Sequence, residues 1–179
     1  MKSFSGFLAD NIDTILKNYK TDLNYEIFEH IAKKNCEIKF NVVKQDEREI
    51  GMRQILNMGH TIGRAVETLS GYTLLHGEAV AIGIVAQANI ANDLGYITAN
   101  DRQSVIQLIQ KAGLPIEIPE NISTEELVNK LYTDKKVRKQ QIYFVFQDGI
   151  GNTKVFEDNK YSKALTEEYL YNNINKYRI

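Results

Sequence analysis

Tryptophan is absent from this 179-residue chain, cysteine occurs once and proline twice. A lone cysteine, Cys36, closes no internal disulfide, so the fold needs a packed core and suits a reducing, cytoplasmic setting. Two prolines leave room for long helices. Charge of one sign is also missing: 22 basic residues against 23 acidic give a net charge of -1, which provides no global field for nucleic acid or an anionic membrane. No apolar run reaches membrane-spanning length, and no basic-then-apolar leader opens the chain. Hydrophobic residues at 43% and charged residues at 25% are enough for one globular domain, read here as residues 1–179.

The apolar periodicity is mostly helical. Phe4, Leu8, Ile12, Ile15 and Leu16 predict an opening amphipathic helix, and Ile27, Phe28, Ile31, Ile38 and Val42 predict a second. A charged connection, Lys44 to Arg48, leads to a third helix over Met52–Leu69, striped by Ile55, Met58, Ile62, Val66 and Leu69. Residues 76–94 carry five alanines among valines and isoleucines, with no charge between Glu78 and Asp93. A helix that is apolar all round belongs at the buried centre, and Gly95 stops it as a C-terminal cap. Further helices are predicted over 101–112, from a Ser123–Glu126 capping box to Tyr132, and over 162–177. Residues 141–147 and 153–156 read as a β-hairpin. The fold class is mainly α with one small hairpin. A dinucleotide fingerprint is missing, because Gly59 and Gly63 lie in a helical pattern and follow no strand.

The chemistry concentrates between Glu49 and Glu78. Arg53, Asn57, His60 and Arg64 fall at offsets of four, seven and eleven residues, which share one face of a continuous helix. If the first turn is irregular, Arg53 and Asn57 sit at its mouth instead. Such a face grips an anionic, hydroxylated ligand and leaves an imidazole for metal. Gly59 and Gly63 each cost a helix interior roughly 1 kcal/mol against alanine, so something approaches the backbone closely there. The alanine-rich helix is the plain candidate. His60 and His76, sixteen residues apart, are either a pair of metal ligands or two structural histidines; spacing leaves both open. His30 lies in a charged stretch and is read as a surface residue.

The strings LNMGHTIGRAVE and LLHGEAVAIG, with CEIKFNVVKQDEREIGMR before them and TDKK after, resemble the signature of 3-dehydroquinate synthases among the sugar-phosphate cyclases. The resemblance covers nearly the whole chain and identifies it with the C-terminal helical domain of that fold. It implies an N-terminal Rossmann-like domain holding NAD and a C-terminal domain holding zinc and much of the substrate. The implied reaction turns a sugar-acid phosphate, DAHP, into 3-dehydroquinate with loss of phosphate, in the shikimate route to aromatic amino acids. By the same resemblance His60 and His76 are zinc ligands, and Arg53 and Lys39 hold the substrate. Asn57 lies near the phosphate, Lys135 or Lys136 is a phosphate-side lysine, and Glu49 is an acidic residue of the site. Family members are commonly homodimers.

Two departures bear on activity. Arg64 stands where the family usually has histidine; arginine binds phosphate but stays protonated, so it cannot shuttle a proton. The family's third zinc ligand, a glutamate, precedes the segment that Phe4–Asn11 matches. The chain is therefore expected to be the domain without its NAD-binding half, to bind zinc weakly and to be inactive alone, unless Glu67 or Glu78 is recruited as a ligand. Alternatives are another cyclase, such as a 2-deoxy-scyllo-inosose synthase, or a non-catalytic helical module.

Overall fold

The computed structural model describes residues 11–17, 25–133, 141–149 and 151–177. Helix α1 occupies 11–17, the described part of the predicted opening helix, and buries Ile15. Helix α2 runs Tyr25–Gln45, a 3₁₀ segment spans Met52–Asn57, and α3 covers His60–Leu69. Then follow α4 (His76–Asp93), α5 (Ala99–Lys111), α6 (Thr124–Thr133), β1 (Ile142–Phe144), β2 (Lys163–Leu165) and α7 (Glu167–Asn173), continued by a 3₁₀ turn over Ile174–Tyr177. No helix among the described residues is long and apolar enough to cross a membrane.

Helix α4 is the axis of the core, as its composition predicts. Ala79, Val85, Ala88, Ile90 and Ala91 lose all contact with solvent. Around it pack Ile62 and Val66 of α3, Leu127 and Val128 of α6, Phe144 and Phe146, and Leu170 and Ile174. Each such branched or aromatic side chain contributes about 1.5–3 kcal/mol on burial. After α4 the chain turns at Gly95, with φ of 72°, while the Tyr96 N–H donates to the Ala91 carbonyl at 2.8 Å. That pairing is a Schellman-type stop.

Three expectations are corrected. The helix predicted over Met52–Leu69 is two pieces, because Gly59 adopts φ of 77° and ends the regular path before His60. The hairpin closes only at its turn, where Gln147 bridges Thr153. Strand β1 pairs instead with β2, Ile142 opposite Leu165 and Phe144 opposite Lys163. Residues 163–165 thus form a strand, and the last helix begins at Glu167, capped by Thr166 Oγ1, which accepts from the Tyr169 N–H. The apolar face of α2 is real in sequence, yet Val42 is its one buried residue; Ile38 and Phe40 are 43% and 65% exposed.

Helices α3 and α4 cross at close range. A Cβ on Gly63 would lie 2.8 Å from the Ala79 carbonyl oxygen, and one on Gly59 2.7 Å from that of Val80. A Cβ on Gly83 would run into the Gly59 carbonyl oxygen itself. Three glycines therefore let backbone touch backbone, and the close contact expected of Gly59 and Gly63 is with the alanine-rich helix.

Candidate metal and substrate site

The glycine crossing brings the start of α3 beside the start of α4, and with them the two histidines. The rings of His60 and His76 lie 5.4 Å apart, centroid to centroid, tilted by 58°. Both rings are held by the same nitrogen. His60 Nδ1 meets the Met58 carbonyl oxygen at 3.0 Å, and His76 Nδ1 meets Glu67 Oε2 at 3.0 Å. An acceptor at each Nδ1 favours the proton there and leaves each Nε2 as an open lone pair. Metal-binding histidines are oriented in this way, by a carbonyl or a carboxylate behind the ring.

This donor chemistry fits zinc. Neutral imidazole is a favoured zinc ligand, and a catalytic zinc takes about three ligands from protein. Among the described residues no third His, Cys, Asp or Glu completes a cluster with the pair. Glu67 stands behind His76 as its orienting partner. Glu78 caps its own helix, its Oε2 accepting the Leu75 N–H at 2.8 Å.

The segment before α3 gathers three of the remaining candidates, Glu49, Arg53 and Asn57. Asp46, just past the end of α2, accepts the N–H groups of Ile50 at 3.2 Å, Gly51 at 2.8 Å and Arg53 at 3.0 Å. Desolvation is the largest single influence on this carboxyl and pushes its pKa up. The three amides and the Arg53 charge together outweigh it, and the pKa is lowered. The loop so held carries Glu49 at φ of 56°, a left-handed backbone uncommon for a residue with a Cβ. Glu49 Oε1 accepts from Asn57 Nδ2 at 2.6 Å, and Arg53 Nη1 donates to the Glu47 carbonyl at 2.8 Å.

Glu49 and Asn57 thus pair at the mouth of α3, with Arg53 on the same segment and His60 leading the helix. Of the two arrangements open to the sequence, the structure takes the irregular one. Arg64 is exposed on α3, one turn beyond His60. Lys39 faces solvent on α2, two turns before Asp46. Lys135 and Lys136 lie outside the described residues. The sequence reading did not find Asp46, hidden in a run of charges, or the orienting role of Glu67. It also passed over Gln87, whose one signal was an amide inside the uncharged run of α4.

Comparisons with known proteins show the family and the fold. The family model described as 3-dehydroquinate synthase C-terminal matches residues 2–137. A 3-dehydroquinate synthase of Desulforamulus reducens is 41% identical over 152 residues, which are 83% of this chain and 42% of the relative. One from Caldanaerobacter subterraneus subsp. tengcongensis is 43% identical over 150 residues, 83% of this chain and 40% of the relative. The chain spans about two fifths of the length of these curated relatives. In fold it is similar to a crystal structure of 2-deoxy-scyllo-inosose synthase complexed with carbaglucose-6-phosphate, NAD+ and Co2+. That likeness has a TM-score of 0.68 at 24% identity, covering 77% of this chain and 39% of that one. It is also similar to a 2-epi-5-epi-valiolone synthase from Streptomyces hygroscopicus subsp. jinggangensis with NAD+ and Zn2+ bound. Here the TM-score is 0.71 at 17% identity, covering 97% and 45% of the two chains.

Proposed function

We propose, for a chain that belongs to the 3-dehydroquinate synthase C-terminal family, that it supplies the metal- and substrate-binding half of a 3-dehydroquinate synthase. The observation that carries this reading is the histidine pair at 5.4 Å, each ring tied back through Nδ1. Two open Nε2 atoms face the task of holding one ion. Zinc, when bound there, supplies a Lewis acid that polarises a substrate hydroxyl. NAD belongs to a nucleotide-binding half, as in the resemblance, since these residues carry no dinucleotide fingerprint.

The chain's own side chains take the substrate. Arg53 offers a fork suited to bidentate capture of the DAHP carboxylate, and its backbone is anchored by Asp46. Asn57, aligned by Glu49, contacts the substrate near its phosphate. Lys39, and Lys135 or Lys136, add positive charge for an anionic substrate. Arg64 reaches phosphate as a fixed cation and moves no proton. The function so assembled is a cytoplasmic, phosphate-eliminating lyase step whose whole enzyme pairs as a homodimer.

The test joins these 179 residues to the nucleotide-binding half of the Desulforamulus reducens relative and follows DAHP-dependent phosphate release. The joined protein should release phosphate. His60→Ala and His76→Ala should each lower the rate by about a hundredfold or more, and Glu67→Gln should weaken metal binding by about 10–100-fold. A joined protein that folds and loads metal but releases no phosphate would refute the reading. So would a His60→Ala variant as active as its parent.

A further inference from the structure

Gln87 is an amide in a place that favours hydrocarbon. It is fully buried in α4, among Ala86, Ala88, Ile90 and Val85. Burying an amide without partners costs a few kcal/mol, and Gln87 has partners at both ends. Its Oε1 accepts the Gly59 N–H, and its Nε2 donates to the Val145 carbonyl at 2.7 Å. Gly59 is the N-cap of α3, where a backbone N–H has no acceptor within its own helix. Val145 lies directly after β1, outside its ladder. One side chain therefore satisfies two backbone groups that nothing regular would satisfy.

The first of those two groups lies beside His60. Gly59 precedes it, and the Met58 carbonyl behind the His60 ring belongs to the peptide that carries the Gly59 N–H. A rotation of that peptide would release the Gln87 acceptor and turn the Met58 oxygen away from Nδ1 together. On the other side, Thr61 Oγ1 donates to the Tyr143 carbonyl at 3.2 Å, tying the same turn to β1. We infer that Gln87 is a positioning residue. It fixes the Met58–Gly59 peptide, and through it the tautomer and direction of the His60 ring, against α4 and the strand that follows the Lys135–Lys136 segment. This rests on the reading of His60 as a metal ligand.

A second buried amide provides the matched control. Gln147 is 4% exposed and donates from Nε2 to the Ile84 carbonyl at 3.2 Å, without bonding Gly59 or the peptide before it. The experiment compares Gln87→Met and Gln147→Met in the 179-residue chain. Long-range proton–nitrogen spectra of the imidazoles read the tautomers, and a titration with Co2+ alone reads affinity. In the unaltered chain both histidines should carry the proton on Nδ1. Gln87→Met should mix the His60 tautomers, leave His76 as it was, and weaken Co2+ binding by about tenfold or more. Gln147→Met should lower the melting temperature yet leave the His60 spectrum unchanged and Co2+ affinity within about twofold.

An unchanged His60 spectrum in Gln87→Met overturns the inference, as does an equal change in Gln147→Met. If the unaltered chain takes up no Co2+, the titration moves to the joined protein, where no uptake fails the metal reading, and the imidazole spectra still decide the role of Gln87. Should Gln87→Met not fold, hydrogen exchange in the unaltered chain decides. A Gly59 amide protected as strongly as those of the α4 core supports the inference; one that exchanges like an open loop overturns it.

Discussion

Gly83→Ala places one methyl group where α4 meets the Gly59 carbonyl oxygen. The added carbon would also lie 2.8 Å from the Gly63 nitrogen and 2.9 Å from the Gly59 carbonyl carbon. All three neighbours are backbone, so no side chain can rotate aside; the two helices must separate. Overpacking a well-filled interior costs about 1–3 kcal/mol, and a backbone collision belongs at the upper end. At about 3 kcal/mol, a chain of this size loses roughly 6–12 °C in melting temperature. Gly77→Ala is the comparison, since nothing lies within 4 Å of its added carbon. Better helix propensity in the first turn of α4 should hold or raise stability there by about 0.5 kcal/mol. Thermal melts followed by circular dichroism, paired with Co2+ titration, read both effects. Gly83→Ala should lose stability and affinity together, because the crossing sets the histidine spacing. A Gly83→Ala melt within about 2 °C of the parent, on the slope expected for this chain length, would refute the reasoning. So would an equal loss in Gly77→Ala.

Two further outcomes are expected. The pKa of Asp46 is lowered on folding, so its contribution is complete above the ordinary aspartate range and drains away as pH falls through the folded value. The stability gap between the chain and Asp46→Asn, read from urea midpoints over a pH series, should therefore narrow in acid; a constant gap counts against it. In the joined enzyme, Arg64→His should raise phosphate release by restoring a group that exchanges protons near neutrality, and an unchanged or lower rate would oppose this.

The long-range pattern of the fold was legible where one signal dominated. The uncharged run from Ala79 to Asn92 left α4 no place but the centre, and the Ser123–Glu126 box forms as read, with Ser123 Oγ accepting from the Glu126 N–H at 3.1 Å. The break at Gly59 was hidden because Ile55, Met58, Ile62 and Val66 keep a helical stripe on both sides of it. What bends the chain is tertiary: the Gln87 bond, the contact with Val80, and Asp46 gripping the loop ahead. Ser162 looked like a helix start, yet Lys163–Leu165 extend because β1 offers them a partner that sequence proximity does not reveal. The histidines could be named from motif resemblance. Their common Nδ1 anchoring depends on a carbonyl two residues back and a carboxylate nine residues away, the second a contact between α3 and α4 that the motif does not show.

The glycine crossing also acts as a gauge block. Helices separated by side chains drift when the core is repacked, since a methylene more or less shifts the axes. Helices resting carbonyl against Cα have nothing between them to resize. The interval between the two imidazoles is thereby insulated from most hydrophobic drift elsewhere in the domain. In a collection of random core variants, melting temperature should scatter widely while Co2+ affinity clusters, with outliers concentrated at Gly59, Gly63 and Gly83.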